Sequence, residues 1–182
     1  MKDKLFLLSA NEVEKYLPDE KSRICKCRWD DASCHWWLRS PGCDTSLTDL
    51  VAFVEDNGSL RKGGCFVQRN DTVAVRPALH VNTSYLQSLM RTDKGYVGFG
   101  RLEWIVLDEE TGLLLSKDAI GRRSFANSDN YELSGIRKFL NNKMINDFFT
   151  VEEQEMIMDT VIDGEASYPD LEAAYKKNKT CF

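Results

Sequence analysis

The 182-residue chain has no apolar run approaching the roughly 18 residues a membrane-crossing helix requires. Its longest early run, Leu5 to Leu8, is too short for a secretory signal core, so the expected location is the cytoplasm, with cysteines free and reduced. Histidine is scarce. His35 and His80 are the two present, and neither belongs to a spaced set of nucleophiles or metal ligands. Cys34-His35 is an adjacent pair whose side chains a strand would send to opposite faces. Positive charge is also in short supply, with 24 Lys and Arg against 29 Asp and Glu and a net charge of -5. That balance excludes a general nucleic-acid binder, because phosphate binding needs a basic surface that releases counterions. A protein is the expected partner. The six cysteines are not scarce, but the spacing Cys25-x-Cys27-x6-Cys34-x8-Cys43 lacks the CxxC knuckle of most structural zinc sites. No metal, cofactor or catalytic residue is expected from these patterns.

What is present reads as a folded chain: 42% hydrophobic and 29% charged residues are ordinary for a packed soluble protein, and the length fits one domain. Leu5 to Leu8 has strand-like density and stops at Ser9, whose Ser-x-x-Glu spacing to Glu12 predicts a capped helix over 10–17, ended by Pro18. Residues 19–35 read as an irregular loop. His35 to Arg39 is a predicted strand with Trp36 and Trp37 on opposite faces, and Pro41-Gly42 turns the chain. Asp49 to Val54 is another strand, Asp56-Asn57-Gly58 is the strongest hairpin signal, and Gly63-Gly64 reads as a second turn before Cys65 to Gln68. Val73 to Val81 alternates like a strand, broken at Arg76-Pro77. A second hairpin joins Arg101 to Leu107 with Leu113 to Ser116. Ser134 is placed to cap a helix over 135–148 with Ile136, Phe139, Leu140 and Met144 on one face, and Thr150 with Glu153 opens another. The segment after Asp159 is acidic until Lys176 and predicts at most loose helix.

Two segments, Trp36-Trp37-Leu38-Arg39-Ser40-Pro41-Gly42 and Val75-Arg76-Pro77-Ala78-Leu79, together resemble a bacterial and phage domain of unknown function. The layout is similar to the C-type-lectin-like fold of the formylglycine-generating-enzyme type. Lys2 to Ser9, Phe99 to Leu107, Leu114 to Lys117, Ile136 to Asn142 and Phe149 to Glu155 resemble further stretches of the same family. In the family the stretch like Phe99 to Leu107 and the helices come first, whereas here Lys2 to Ser9 leads. The resemblance therefore implies an α+β, C-type-lectin-like fold, with small antiparallel sheets and two or three flanking helices, circularly permuted in a single domain. Residues 1–81 would be the usual C-terminal half, 82–98 a linker and 99–182 the usual N-terminal half. The halves would pair within a monomer or between chains of a swapped dimer, and the same order would also arise from a slice through a tandem array.

The formylglycine-generating relatives use cysteines and a metal, but Cys25, Cys27, Cys34 and Cys43 flank the Trp36-Trp37 motif rather than the final core strands, so no enzyme is expected. Arg39 and Arg76 read as structural guanidiniums that tie strand ends and carbonyls together. Trp36, Trp37 and Trp104 read as core. Trp29 lies in a polar loop beside Arg28, Asp30 and Asp31 and reads as a binding residue. Some relatives of this fold are the variable target-binding proteins of diversity-generating retroelements. On that analogy the binding surface would comprise exposed positions between Trp36 and Val75, namely Asp44, Thr45, Ser46, Arg61, Gln68, Arg69 and Asn70, to which the polar-loop reading adds Trp29. The expected function is a non-catalytic binding module. The alternative is a small acidic phage or mobile-element inhibitor of a nucleic-acid-handling enzyme.

Overall fold

The computed structural model describes residues 1–42, 49–68 and 73–162. In chain order, β1 (Lys2–Asp3) and β2 (Leu5–Phe6) lead into α1 (Ala10–Tyr16) and α2 (Glu20–Arg23). The strands β3 (His35–Pro41), β4 (Leu50–Val54), β5 (Leu60–Phe66), β6 (Val73–Ala74) and β7 (Ala78–His80) follow. Then come α3 (Thr83–Ser88), β8 (Val97–Phe99), β9 (Leu102–Asp108) and β10 (Leu113–Ser116). The helical region comprises α4 (Gly135–Lys138), a π-helical stretch (Phe139–Met144), α5 (Ile145–Phe148) and α6 (Val151–Met156), and β11 (Thr160–Val161) follows it.

Local signals decide the helix ends. Ser9 and Glu12 exchange both bonds of a capping box at α1, and Thr150 and Glu153 do so at α6. The Ser134 side chain accepts from the Arg137 N–H to start α4. Asp19 likewise caps α2, a short helix inside the stretch whose sequence reads as irregular. The β4–β5 hairpin turns at Gly58, whose φ of 90° favours glycine and where any side chain would collide with the Glu20 carbonyl. Gly63 and Gly64, by contrast, lie inside β5 rather than at a turn. There Gly64 holds a φ of 85° against the Val51 backbone, and a side chain would not fit.

The fold is mixed α+β, with small sheets and few helices. Among the described residues, one sheet has the order β2-β7-β10-β9-β8 and is antiparallel throughout. Leu5 faces Leu79, which faces Leu114 on its other side, so the start of the chain and the hairpin after residue 101 share β7. A second sheet runs β5-β4-β3-β6, antiparallel except for the β3–β6 pair. β1 pairs with β11, and Met1 and Ile162 exchange backbone hydrogen bonds of 3.2 and 2.9 Å. Residues 82–98, read as a connector, supply both α3 and the edge strand β8, whose Val97 faces Trp104.

Leu5 to Leu8, Trp36 to Leu38, Leu79, Trp104, Leu113 to Leu115, Phe125 and Ile136 belong to one continuous buried cluster. Several buried polar side chains beside it have fixed partners. The Asp3 carboxylate receives the Arg137 guanidinium in a fork at 2.7 to 2.9 Å. Arg39 reaches the Leu7 carbonyl and both Glu12 oxygens. The fully buried Arg76 donates to the carbonyls of Ser116, Lys117 and Arg23 and stacks over Trp36 at 4.9 Å. In the π-helical stretch, Asn141 stands in for a neighbouring strand: its oxygen accepts from the N–H groups of Lys4 and Leu5, and its amide donates to the Leu5 carbonyl. Among the described residues no helix is long and apolar enough to cross a membrane.

Candidate functional site around the Trp29 loop

Residues 25–34 form a small hairpin. Lys26 and Ser33 are bridged antiparallel, Cys27 N–H donates to Ala32 at 2.8 Å, and Cys34 N–H donates to Cys25 at 2.9 Å. At the tip, Asp31 N–H returns to the Cys27 carbonyl at 3.0 Å, and Asp31 takes a φ of 54°, a left-handed conformation that aspartate tolerates better than most residues. Asp31 also pairs with Lys26 at 2.9 Å. The outer strand of the hairpin is laid against residues 119–120. Ala119 N–H donates to Lys26, Arg28 N–H donates to Ala119, and the Trp29 indole N–H donates to Ile120 at 3.1 Å.

The Trp29 ring is nevertheless 74% exposed. Its polar atom is fixed while its apolar faces stand in water, so little reorganisation is needed for another surface to cover it. Charge surrounds it: Asp30 pairs with Arg122 at 3.3 Å, and Arg28 lies 5.8 Å from the Phe148 ring centre. Beside this loop is a cleft of about 290 Å³ lined by Arg28, Gly100, Arg101, Leu102, Glu103 and Asp118. Lys117 pairs with Glu103 at 2.6 Å near the same cleft.

The remaining expected site residues divide. Arg61 is exposed but ion-paired with Glu55 at 2.9 Å, a bond that holds its guanidinium pKa above the ordinary value. It lines a separate groove of about 730 Å³ with Glu14, Glu20, Phe53 and Lys62. The charges there are also satisfied internally, Lys62 by Glu14 at 2.7 Å and Glu20 by the Ser59 hydroxyl at 2.9 Å. Gln68 is exposed just beyond β5. Asp44, Thr45, Ser46, Arg69 and Asn70 lie outside the described residues. Trp29 and Arg61 thus stand in different surroundings, and the structure does not bring them into one cleft.

Beneath the Trp29 loop sits a feature the linear spacing does not reveal. Cys25, Cys27 and Cys34 are all buried and unbridged. Cys25 and Cys27 share a face because strand side chains alternate, and Cys34 lies directly opposite Cys25. A thiol–thiol hydrogen bond with Cys34 is the largest influence on Cys25 and lowers its pKa, burial opposes this, and the Arg76 charge adds to the lowering. The same bond and burial push the Cys34 thiol up. The signal available in sequence was the Cys-x-Cys alternation followed by the turn-forming Asp30-Asp31, which together make a hairpin that returns Cys34 to Cys25. Among the described residues, no three His, Cys, Asp or Glu side chains are arranged to hold a metal ion.

The histidines have structural partners. His35 Nδ1 accepts from the Asp56 N–H at 3.1 Å, and His80 Nδ1 is 2.9 Å from the Thr160 hydroxyl.

Residues 1–83 match the family model described as a domain of unknown function, DUF6273. The matched stretch runs from β1 to the first residue of α3 and includes the Trp29 loop, both tryptophans of β3 and the Val75 to Leu79 segment. It is not a self-contained sheet, since β7 within it pairs with β10 outside it. No curated protein and no solved structure matches the chain.

Proposed function

We propose that this protein is a non-catalytic binding module that presents the Trp29 loop to a protein ligand. The observation that carries the reading is an indole anchored by its N–H to Ile120 yet exposed over 74% of its surface. Tryptophan and arginine are the side chains that most often dominate binding energy at protein interfaces, and here Trp29 is flanked by Arg28 and close to Arg122. The mixed charges around it favour a protein surface with matched polar groups over a nucleic-acid backbone.

The scaffold for this loop is, in the same proposal, a C-type-lectin-like domain whose halves are exchanged in order. Two features support it. Met1 and Ile162 are hydrogen-bonded neighbours, so the 99–162 segment leads in space directly into residue 1. β2 from one half and β10 from the other flank the same strand, β7.

Affinity capture followed by quantitative binding tests the function. The wild-type chain should retain a defined partner, Trp29→Ala should weaken it at least about tenfold, the size expected of an interfacial anchor, and Arg61→Ala should change it little. A partner held equally well by folded Trp29→Ala would overturn the reading. The scaffold is tested by a rearranged gene that joins residue 162 to residue 1 and opens the chain within 90–95. It should fold with the parent's circular dichroism, and failure to fold would count against the exchanged order.

A further inference from the structure

We propose that Cys25 and Cys34 are a redox couple, a dithiol that a hydroperoxide oxidises to an intrachain disulfide across the base of the Trp29 loop. The register of the hairpin carries this. Cys34 N–H donates to Cys25 C=O, and Lys26 and Ser33 are bridged, so Cys25 and Cys34 are a directly opposed, hydrogen-bonded antiparallel pair. Such pairs hold their Cα atoms about 5.5 Å apart, inside the range of about 4.4 to 6.8 Å that a disulfide spans. Cys27 sits opposite Ala32 instead, which makes it diagonal to Cys34 at a typical separation of about 7 to 8 Å, at or beyond the upper limit for a disulfide, although its thiol also interacts with that of Cys34. Three thiols are close together, and the backbone register favours the directly opposed pair.

The surroundings assign different roles to the two sulfurs. Cys25 lies beside the guanidinium of Arg76, which is fixed by three carbonyls and has no carboxylate among those bonds. The approach of Cys34 and that positive charge lower the Cys25 thiol pKa and so raise its thiolate share, against the pull of the Lys26 and Lys117 carbonyls 3.5 and 3.8 Å from Sγ, whereas burial and Cys25 hold the proton on Cys34. Both sulfurs are buried, at 1% and 3% exposure, so the oxidant must be small, or the hairpin must open locally from its exposed tip.

In the first step the Cys25 Sγ thiolate attacks one peroxide oxygen. The S–O bond forms as the O–O bond breaks, the second oxygen leaves with a proton as water or alcohol, and the sulfur is oxidised by two electrons to a sulfenic acid. In the second step Cys34 Sγ attacks the Cys25 sulfur. The S–S bond forms, the S–O bond breaks, and the departing hydroxide combines with the Cys34 thiol proton as water. One peroxide is consumed for each disulfide. This chemistry stands independently of whether Trp29 binds a partner, because it requires only the hairpin and its thiols.

Peptide mapping of the intact folded chain tests it. Trypsin cuts after Arg23, Lys26, Arg28 and Arg39, which places Cys25, Cys27 and Cys34 in three separate peptides. After a stoichiometric dose of hydrogen peroxide and alkylation of the remaining thiols, the peptide from Ile24 to Lys26 should be recovered linked to that from Trp29 to Arg39 and lighter by two hydrogens. Cys27 should be recovered alkylated. Cys34→Ala should instead accumulate a Cys25 sulfenic acid that dimedone traps, and Cys27→Ser should still form the link. The wild-type arm needs no variant to fold. Linkage of Cys25 to any other cysteine, a folded chain that forms no link, or a link formed no faster in the folded chain than in urea would each overturn the proposal.

Discussion

Trp29 and the pair Trp36-Trp37 are separated by a few residues, and all three donate their indole N–H to a backbone carbonyl, of Ile120, Arg23 and Arg123 respectively. Their rings meet opposite fates: those of Trp36 and Trp37 have no exposed surface, and that of Trp29 is three-quarters in water. The hydrogen bond therefore does not distinguish a core tryptophan from a surface one. What differs is the element beneath. β3 is a central strand with β4 on one side and β6 on the other, and both its faces are covered, whereas the Trp29 loop is pinned along one edge only. Burial on both faces holds the first region, whereas the tip of the second is held by hydrogen bonds and ion pairs above a base of buried cysteines.

The largest test of this contrast is Trp37→Ala, which should cost about 3 to 5 kcal/mol, since the cavity would open against Phe125, whose ring centre lies 5.6 Å away. Chemical denaturation measures it, and a loss under about 1 kcal/mol would mean that β3 is not the packed centre described here. Next is Asn141→Leu, expected to cost about 1 to 3 kcal/mol by stranding the N–H groups of Lys4 and Leu5 and the Leu5 carbonyl at the start of β2. Hydrogen exchange at Lys4 and Leu5 should accelerate together in that variant.

A pH effect follows at His80, in the packed region, where burial lowers the imidazole pKa below its ordinary 6.5. The folded state then binds the proton less readily than the unfolded one. The stabilising preference for neutral His80 is complete above about pH 6.5 and is lost as pH falls from there through the depressed folded value. Melting curves at pH 7.5 and 5.5 should converge more in His80→Gln than in the parent, and an unchanged difference would contradict a buried neutral imidazole. The smallest stability effect belongs to Trp29→Ala, within about 0.5 kcal/mol, as expected for a ring that buries little. The same change should carry the largest loss of partner binding, so the two tryptophan variants separate stability from recognition.

Much of the local structure was legible before any fold was known. The capping boxes at Ser9 and Thr150, the cap at Ser134 and the hairpin at Asn57-Gly58 each depend on contacts within a few residues, and all four form where their spacing places them. Gly63-Gly64 shows the limit of such signals. A glycine pair ordinarily marks a turn, but these two continue β5, and at Gly64 the Val51 backbone approaches too closely for a side chain. Residues 82–98 show another: their polar composition reads as connector, while Val97 finds a buried place beside β9 that only the sheet provides.

Of the candidate site, the exposure of Trp29 was readable in the sequence, and the surroundings of the other residues were not. Trp29 stood out because a large aromatic in a run of charges has no local apolar neighbours to cover it. The pairing of Arg61 with Glu55 and the meeting of Cys25 with Cys34 depend on strand register, which composition does not encode. By itself the sequence determined where helices begin, where hairpins turn and that the chain has enough apolar surface for a core, since these follow from short-range hydrogen bonding and residue type. Only the tertiary structure decided that β2 and the hairpin after residue 101 share β7, that Asn141 completes an edge, and which tryptophan remains in water. Those outcomes are set by contacts between residues far apart in the chain.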